Sequence, residues 1–279
     1  MFDRIANGWE LTKQSFAVLK LDKELLLFPL LSGIACLLVM GSFGLPLWAS
    51  GQWDALFADG RPIDNPVFYV IAFAFYFVNY FVIIFFNCAL VACAIIRFKG
   101  GDPTVGDGLQ AASARIFQIA GWALVSASVG LILRAIESRS AKFGQIASAL
   151  LGMAWSAGTY FVVPILVVER ANPLEALKRS VSVLRKAWGE ALVANFGIGL
   201  LVTLATMAAM CPALLGLFSG NSALMILGIS VTVISVVVIS LVSSALHSIV
   251  VAALYLYAAE GQVADQFDES SLAGAFRQR

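Results

Sequence analysis

The sequence predicts an all-α polytopic membrane protein, with six transmembrane helices arranged as three hairpins, each preceded by a cytoplasmic amphipathic helix, in pseudo-threefold order. Three observations lead there. Six apolar runs, each long enough to cross about 30 Å of hydrocarbon as a helix, cover Leu25 to Ala49, Val67 to Ile96, Ile116 to Leu133, Gly144 to Val168, Ala191 to Phe218 and Ala223 to Ala259. The 279 residues are 60% hydrophobic and 13% charged, with a mean hydropathy of +0.89, so there is too little polar surface to coat a water-soluble globule. Polar lead-in segments precede three of the runs, and two of these segments match each other closely.

The first lead-in, WELTKQSFAVLK (Trp9 to Lys20), aligns with LEALKRSVSVLR (Leu174 to Arg185), which places Glu10 on Glu175, Lys13 on Lys178, Ser15 on Ser180, Val18 on Val183, Leu19 on Leu184 and Lys20 on Arg185. The same register aligns Trp9, Thr12, Phe16 and Leu19 with Leu174, Leu177, Val181 and Leu184, whose spacing puts one apolar face on a helix. A fainter middle copy places Asp107, Leu109, Gln110, Gly121, Ala123, Leu124 and Val125 opposite Glu175, Leu177, Lys178, Gly189, Ala191, Leu192 and Val193. The expected units are residues 3–98, 102–168 and 172–260 of a single membrane domain, with 261–279 a short cytoplasmic tail. Each unit enters from the same side, unlike the inverted repeats of many transporters.

Local chemistry marks the element starts. Asn65-Pro66, Asp102-Pro103 and Asn172-Pro173 each offer a capping side chain followed by proline at the first helical position, and Glu175 can complete a capping box. The segment before Leu25 is largely polar or amphipathic and its apolar run outlasts a signal peptide's, so the N-terminus is expected to stay attached. Pro46, Pro164 and Pro212 predict kinks. Small residues at every fourth position, Ser148, Gly152 and Ser156 in the fourth run and Ser240, Ser244, Ser248 and Ala252 in the sixth, predict close helix contacts, within the chain by preference and with another copy as the alternative. The last run, about 55 Å long if continuous, must tilt, break or protrude, with Gly228 and Ser243-Ser244 as the expected irregularities.

Basic residues set the orientation. Arg4, Lys13, Lys20, Lys23, Arg97, Lys99, Arg115, Arg170, Lys178, Arg179, Arg185, Lys186, Arg277 and Arg279 fall on one side of the expected topology, against Arg61, Arg134, Arg139 and Lys142 on the other, whose first loop carries Asp54, Asp59 and Asp64. The positive-inside bias then puts both termini in the cytoplasm. Lys13, Lys20, Lys178, Arg179, Arg185 and Lys186 on the amphipathic helices are available to anionic lipid headgroups, each contributing about 1 kcal/mol near such a surface.

Inside the spans, His247, the single histidine, lies one turn from Ser243 and Ser244 and forms, with Asn79, Asn87 and Asn195, a candidate intramembrane polar cluster. Interhelical hydrogen bonding explains the same residues without a ligand. One histidine without nearby carboxylates or paired cysteines falls short of a zinc set, and Cys36, Cys88, Cys93 and Cys211 all sit in apolar runs. No carboxylate or arginine lies deep in a span, and no phosphate loop, nucleophile elbow or zinc-protease motif occurs. GGDPTVGDG (Gly100 to Gly108) lacks the lysine of a phosphate cradle and reads as a turn and helix cap. No catalytic residue, metal or cofactor is expected. Without a basic block, neither is a nucleic-acid partner.

The segments NGWELTKQSFAVLKLDKELLLFPLLSG (Asn7 to Gly33), NPLEALKRSVSVLRKAW (Asn172 to Trp188) and ALYLYAAEGQVADQFDESSLAGAF (Ala253 to Phe276) resemble a family of bacterial integral membrane proteins of unknown function, across the whole chain. More distantly the chain is similar to membrane domains found beside glycerophosphodiester phosphodiesterase domains, though no such hydrolase is attached. The resemblance implies residence in the bacterial inner membrane and carries no catalytic residues. The expected function is therefore a non-enzymatic protein that organises, regulates or assembles a membrane component. The alternative is a permease or lipid-handling protein with a cavity near the polar cluster, and a lipid enzyme would have only Glu169, Arg170 and Glu260 to draw on.

Overall fold

The computed structural model describes residues 2–51, 66–139 and 143–267. The acidic first loop, Arg61, Asn65, Lys142 and the end of the tail lie outside the described residues. Among the described residues the fold is all helix. The elements are α1 (Phe2–Leu21), a 3-10 turn (Lys23–Leu26), α2 (Leu27–Ala49), α3 (Pro66–Phe98), α4 (Val105–Ser113), α5 (Ile116–Arg139), α6 (Phe143–Gly158), α7 (Val162–Val168), α8 (Pro173–Phe218), α9 (Ser222–Tyr255) and a π-helical turn (Leu256–Glu260). Six stretches, 23–49, 69–98, 116–137, 144–168, 198–218 and 222–260, are long and apolar enough to cross a membrane. Large apolar side chains such as Leu38 (70% exposed), Leu215 (72%) and Phe218 (84%) lie bare on their surfaces, which only lipid solvates cheaply.

The chain divides into two compact units. The first contains α1, the end of α3, most of α8, α9 and the residues after it. Here α1 packs on α9, burying Leu11, Ser15, Val18 and Leu19 on one side and Ile249, Ala252, Ala253 and Leu254 on the other. At the end of α1, Asp22 is buried and its carboxylate accepts two hydrogen bonds from Arg97, which also pairs with the exposed Asp102. Phe98 meets Phe267 edge to face at 5.6 Å between centroids. Further along, α8 and α9 approach so closely that a Cβ on Gly216 would lie 2.6 Å from the Leu224 carbonyl oxygen, and one on Gly228 would collide with the Pro212 carbonyl.

The second unit contains most of α2 and α3, then α4 to α7 and the first turns of α8. Phe43 and Phe75 join α2 to α3 edge to face at 5.6 Å, while α5 and α6 pack with Trp122 and Trp155 stacked at 5.6 Å and 13°. Gly144 lies under the end of α5, where a Cβ would come within 2.6 Å of the Ile136 carbonyl oxygen. Arg134 donates to the Tyr76 hydroxyl at 2.9 Å.

Several expectations need correcting. The fourth run is two helices, α6 and α7, because the chain turns at Thr159 to Phe161 and Pro164 occupies the first turn of α7, where a missing N–H costs nothing. The freed Phe161 N–H donates to the buried Ser180 hydroxyl at 3.0 Å. The lead-in at Leu174 to Arg185 is no separate helix, since α8 runs unbroken from Pro173 for 46 residues. Asp102 does not cap α4, which begins at Val105, because Arg97 engages its carboxylate. At Asn172 the capping box is half present, with Glu175 accepting the Asn172 N–H at 3.3 Å. The cap that the sequence concealed is Asn221, whose side chain accepts from Ala223 N–H at the start of α9. That helix is regular through Gly228 and the serine pair, and its irregularity comes at the π-helical turn instead.

The small-residue stripes divide. Ser248 and Ala252 are buried, whereas Ser240, Ser244 and Ser156 are exposed, and a Cβ on Gly152 would meet nothing within 4 Å. Among the described residues, then, no helix packs closely on Gly152, while Ser148 is half-buried.

Candidate lipid-facing site

The residues expected to meet lipid begin on α1. Its buried face is Leu11, Thr12, Gln14, Ser15, Val18 and Leu19, so Thr12 and Leu19 of the stripe read from the sequence are buried, while Trp9 and Phe16 stand outside it at 46% and 42% exposure. Beside that face lies a groove of about 410 Å³ lined by Phe16, Ala17, Leu201 and Leu246 together with Trp9, Thr12, Lys13 and Lys20. The Lys20 ammonium lies 5.0 Å over the Phe16 ring, and Lys13 pairs with Glu10 at 3.4 Å. Such a groove can take an acyl chain along its apolar lining while the ammonium groups meet a negative headgroup.

The aligned segments share a burial pattern. Ala176, Ser180, Val183 and Leu184 are buried in α8, the positions matching Leu11, Ser15, Val18 and Leu19, and in α4 Gly108 and Ala112 match the first two. The α4 pattern ends where the chain turns at Ala114 and Arg115. Of the basic residues beyond α1, Lys178 and Arg185 are exposed, while Arg179 is committed to Glu169 at 2.9 Å. Lys186 lies on α8.

The polar cluster divides between the compact units, Asn79 and Asn87 in one and Asn195 and His247 in the other. Asn79 turns onto its own helix, its amide donating to the Phe75 carbonyl at 2.9 Å, and Asn87 is half-buried two turns on. His247 lines an open groove of about 480 Å³ with Ile198, Gly199, Val202, Ser240, Ser243 and Ser244. The serines expected beside it are there. Asn195 lies on α8 three residues before Ile198. Among the described residues no group of three or more His, Cys, Asp or Glu could hold a metal ion.

Two residues passed over in the sequence are prominent in the structure. Asp22, between Lys20 and Lys23, is the buried acceptor of Arg97, and its placement at the end of an amphipathic helix was the available signal. Arg115 belonged to the basic tally alone, yet its Nε is buried without a hydrogen-bond partner.

No curated protein and no solved structure matches the chain. A family model takes in the Asn172 to Trp188 segment and the Ala253 to Phe276 segment as far as Asp265, and leaves Asn7 to Gly33 outside, so the part of the resemblance that is shown runs from α3 onward. Residues 66–265 match a family of unknown function, DUF6159, and the chain belongs to that family.

Proposed function

We propose that this is a non-enzymatic multi-pass protein of the bacterial inner membrane, with both termini in the cytoplasm, that organises or regulates a membrane component through bound anionic lipid. The observation that carries the reading is the α1 groove, whose lining combines apolar side chains with Lys13 and Lys20. Paired contacts between α2 and α3, α5 and α6, and α8 and α9 support three hairpins. The shared burial of Leu11 and Ser15, Gly108 and Ala112, and Ala176 and Ser180 supports threefold repetition of the lead-in.

Native mass spectrometry of the full chain in mild detergent tests it. Phosphatidylglycerol should be retained over phosphatidylcholine by the wild type and less so by Lys13→Gln/Lys20→Gln; equal retention in both proteins rejects the groove. Topology is tested by introducing cysteine at Lys13 and Lys178 in a background with the native cysteines replaced. Both positions should label from the cytoplasmic side, and labelling from opposite sides would end the threefold scheme.

A permease or lipid-handling role is the second reading, favoured by the groove that His247 shares with Ser240, Ser243 and Ser244. It requires that His247→Ala alter ligand retention or transport in vesicles. Unchanged behaviour in both leaves the imidazole structural.

A further inference from the structure

Arg115 stands at the start of α5 and Arg170 just beyond the end of α7, so both border membrane-length stretches. A Cβ on Gly121, in the second turn of α5, would come 2.9 Å from Pro173 Cγ, which brings the beginning of α5 against the chain segment that Arg170 precedes. Arg115 Nη1 donates to the Ala111 carbonyl at 2.8 Å, but its Nε–H is buried without an acceptor. Arg170 is exposed, in a left-handed conformation at φ 53°. Neither arginine makes an ion pair among the described residues, and the neighbouring acids are committed elsewhere, Glu169 to Arg179 and Glu175 to the Asn172 N–H. Burial, and then the charge of Arg170, pull the Arg115 guanidinium down from its ordinary range, with the Cys88 thiol acting weakly the other way. A buried donor without an acceptor is costly, and so are two cations set together at a membrane boundary.

We propose that Arg115 and Arg170 form a binding site for a phosphate-bearing anion, whose oxygens accept from N–H groups of both guanidiniums, the Arg115 side chain shifting to bring its orphaned Nε–H within reach. Guanidinium matches phosphate geometry with several parallel donors, and the membrane surface supplies phosphodiesters at high local concentration. The site is separate from the α1 groove and does not depend on it.

The test uses the full-length protein in detergent, with Arg170→Asn as the variant because Asn tolerates the left-handed backbone and the side chain is exposed. In one arm, native mass spectrometry measures retention of phosphatidylglycerol against phosphatidylcholine. In the other, inorganic phosphate is titrated and thermal stabilisation followed. Wild type should exceed the variant at least five-fold in affinity in one arm. Loss in the first identifies a lipid headgroup, and loss in the second alone identifies a soluble phosphate. Equal affinities in both arms overturn the proposal. Lys13→Gln/Lys20→Gln, run in parallel, should keep the Arg170-dependent response, which separates failure here from failure of the groove.

Discussion

The Thr232 hydroxyl on α9 donates to the Ala209 carbonyl on α8 at 2.9 Å and accepts from Ala213 N–H at 3.2 Å, one residue past Pro212. Proline removes an intrahelical donor, and Thr232 satisfies the neighbouring backbone from across the helix pair. In hydrocarbon such a bond has no water to fall back on. Thr232→Val should therefore lower unfolding free energy in detergent by about 1 kcal/mol, with Thr232→Ser retaining most of it. A silent Thr232→Val would mean that Pro212 needs no help.

Close approach at the same pair gives a sharper contrast. Gly228→Ala must push α9 away from the Pro212 carbonyl, costing about 2 kcal/mol as overpacking. Gly152→Ala has open space and should be neutral or slightly stabilising. Thermal denaturation of both variants decides it, and equal effects would refute the close packing of α8 on α9.

Asp22 and Arg97 form a forked ion pair at the end of α1, with Asp22 almost buried. Removing either partner leaves a charge without its counterpart, so Arg97→Ala should cost about 3 kcal/mol. Asp102→Ala, at an exposed carboxylate, should cost under about 1 kcal/mol. Proteolysis of α1 in the Arg97 variant would report the loss directly.

Arg170 holds a backbone conformation that glycine adopts freely. Arg170→Gly should raise stability by about 1 kcal/mol while removing the cation at that site. A melting temperature that falls instead would show that the side chain contributes more to the fold than its backbone strain removes.

Span positions were legible because lipid leaves a one-dimensional mark: about twenty apolar residues in a row. The six runs, as read, end within a few residues of the structural stretches, the fifth compared from Ile198 onward. Ser15 and Ser180, which the alignment of the two lead-in segments pairs, are both buried. Tertiary effects were not legible. Ser15 donates back to the Leu11 carbonyl at 2.8 Å, whereas its counterpart Ser180 accepts from the broken turn at Phe161. Small-residue spacing does not tell which members of a stripe are covered, since Ser248 and Ala252 are buried and Ser240 and Ser244, on the same spacing, are exposed. The orphaned Nε of Arg115 depends on the turn at Ala114, which no periodicity announces.

The near-parallel indoles of Trp122 and Trp155 supply an optical signature. Two such chromophores at this separation couple their intense excited states, so far-ultraviolet circular dichroism should carry an indole contribution that is lost when either is replaced by phenylalanine. The protein thus contains its own spectroscopic gauge of whether α5 and α6 are seated on each other, readable in any detergent or vesicle without a label.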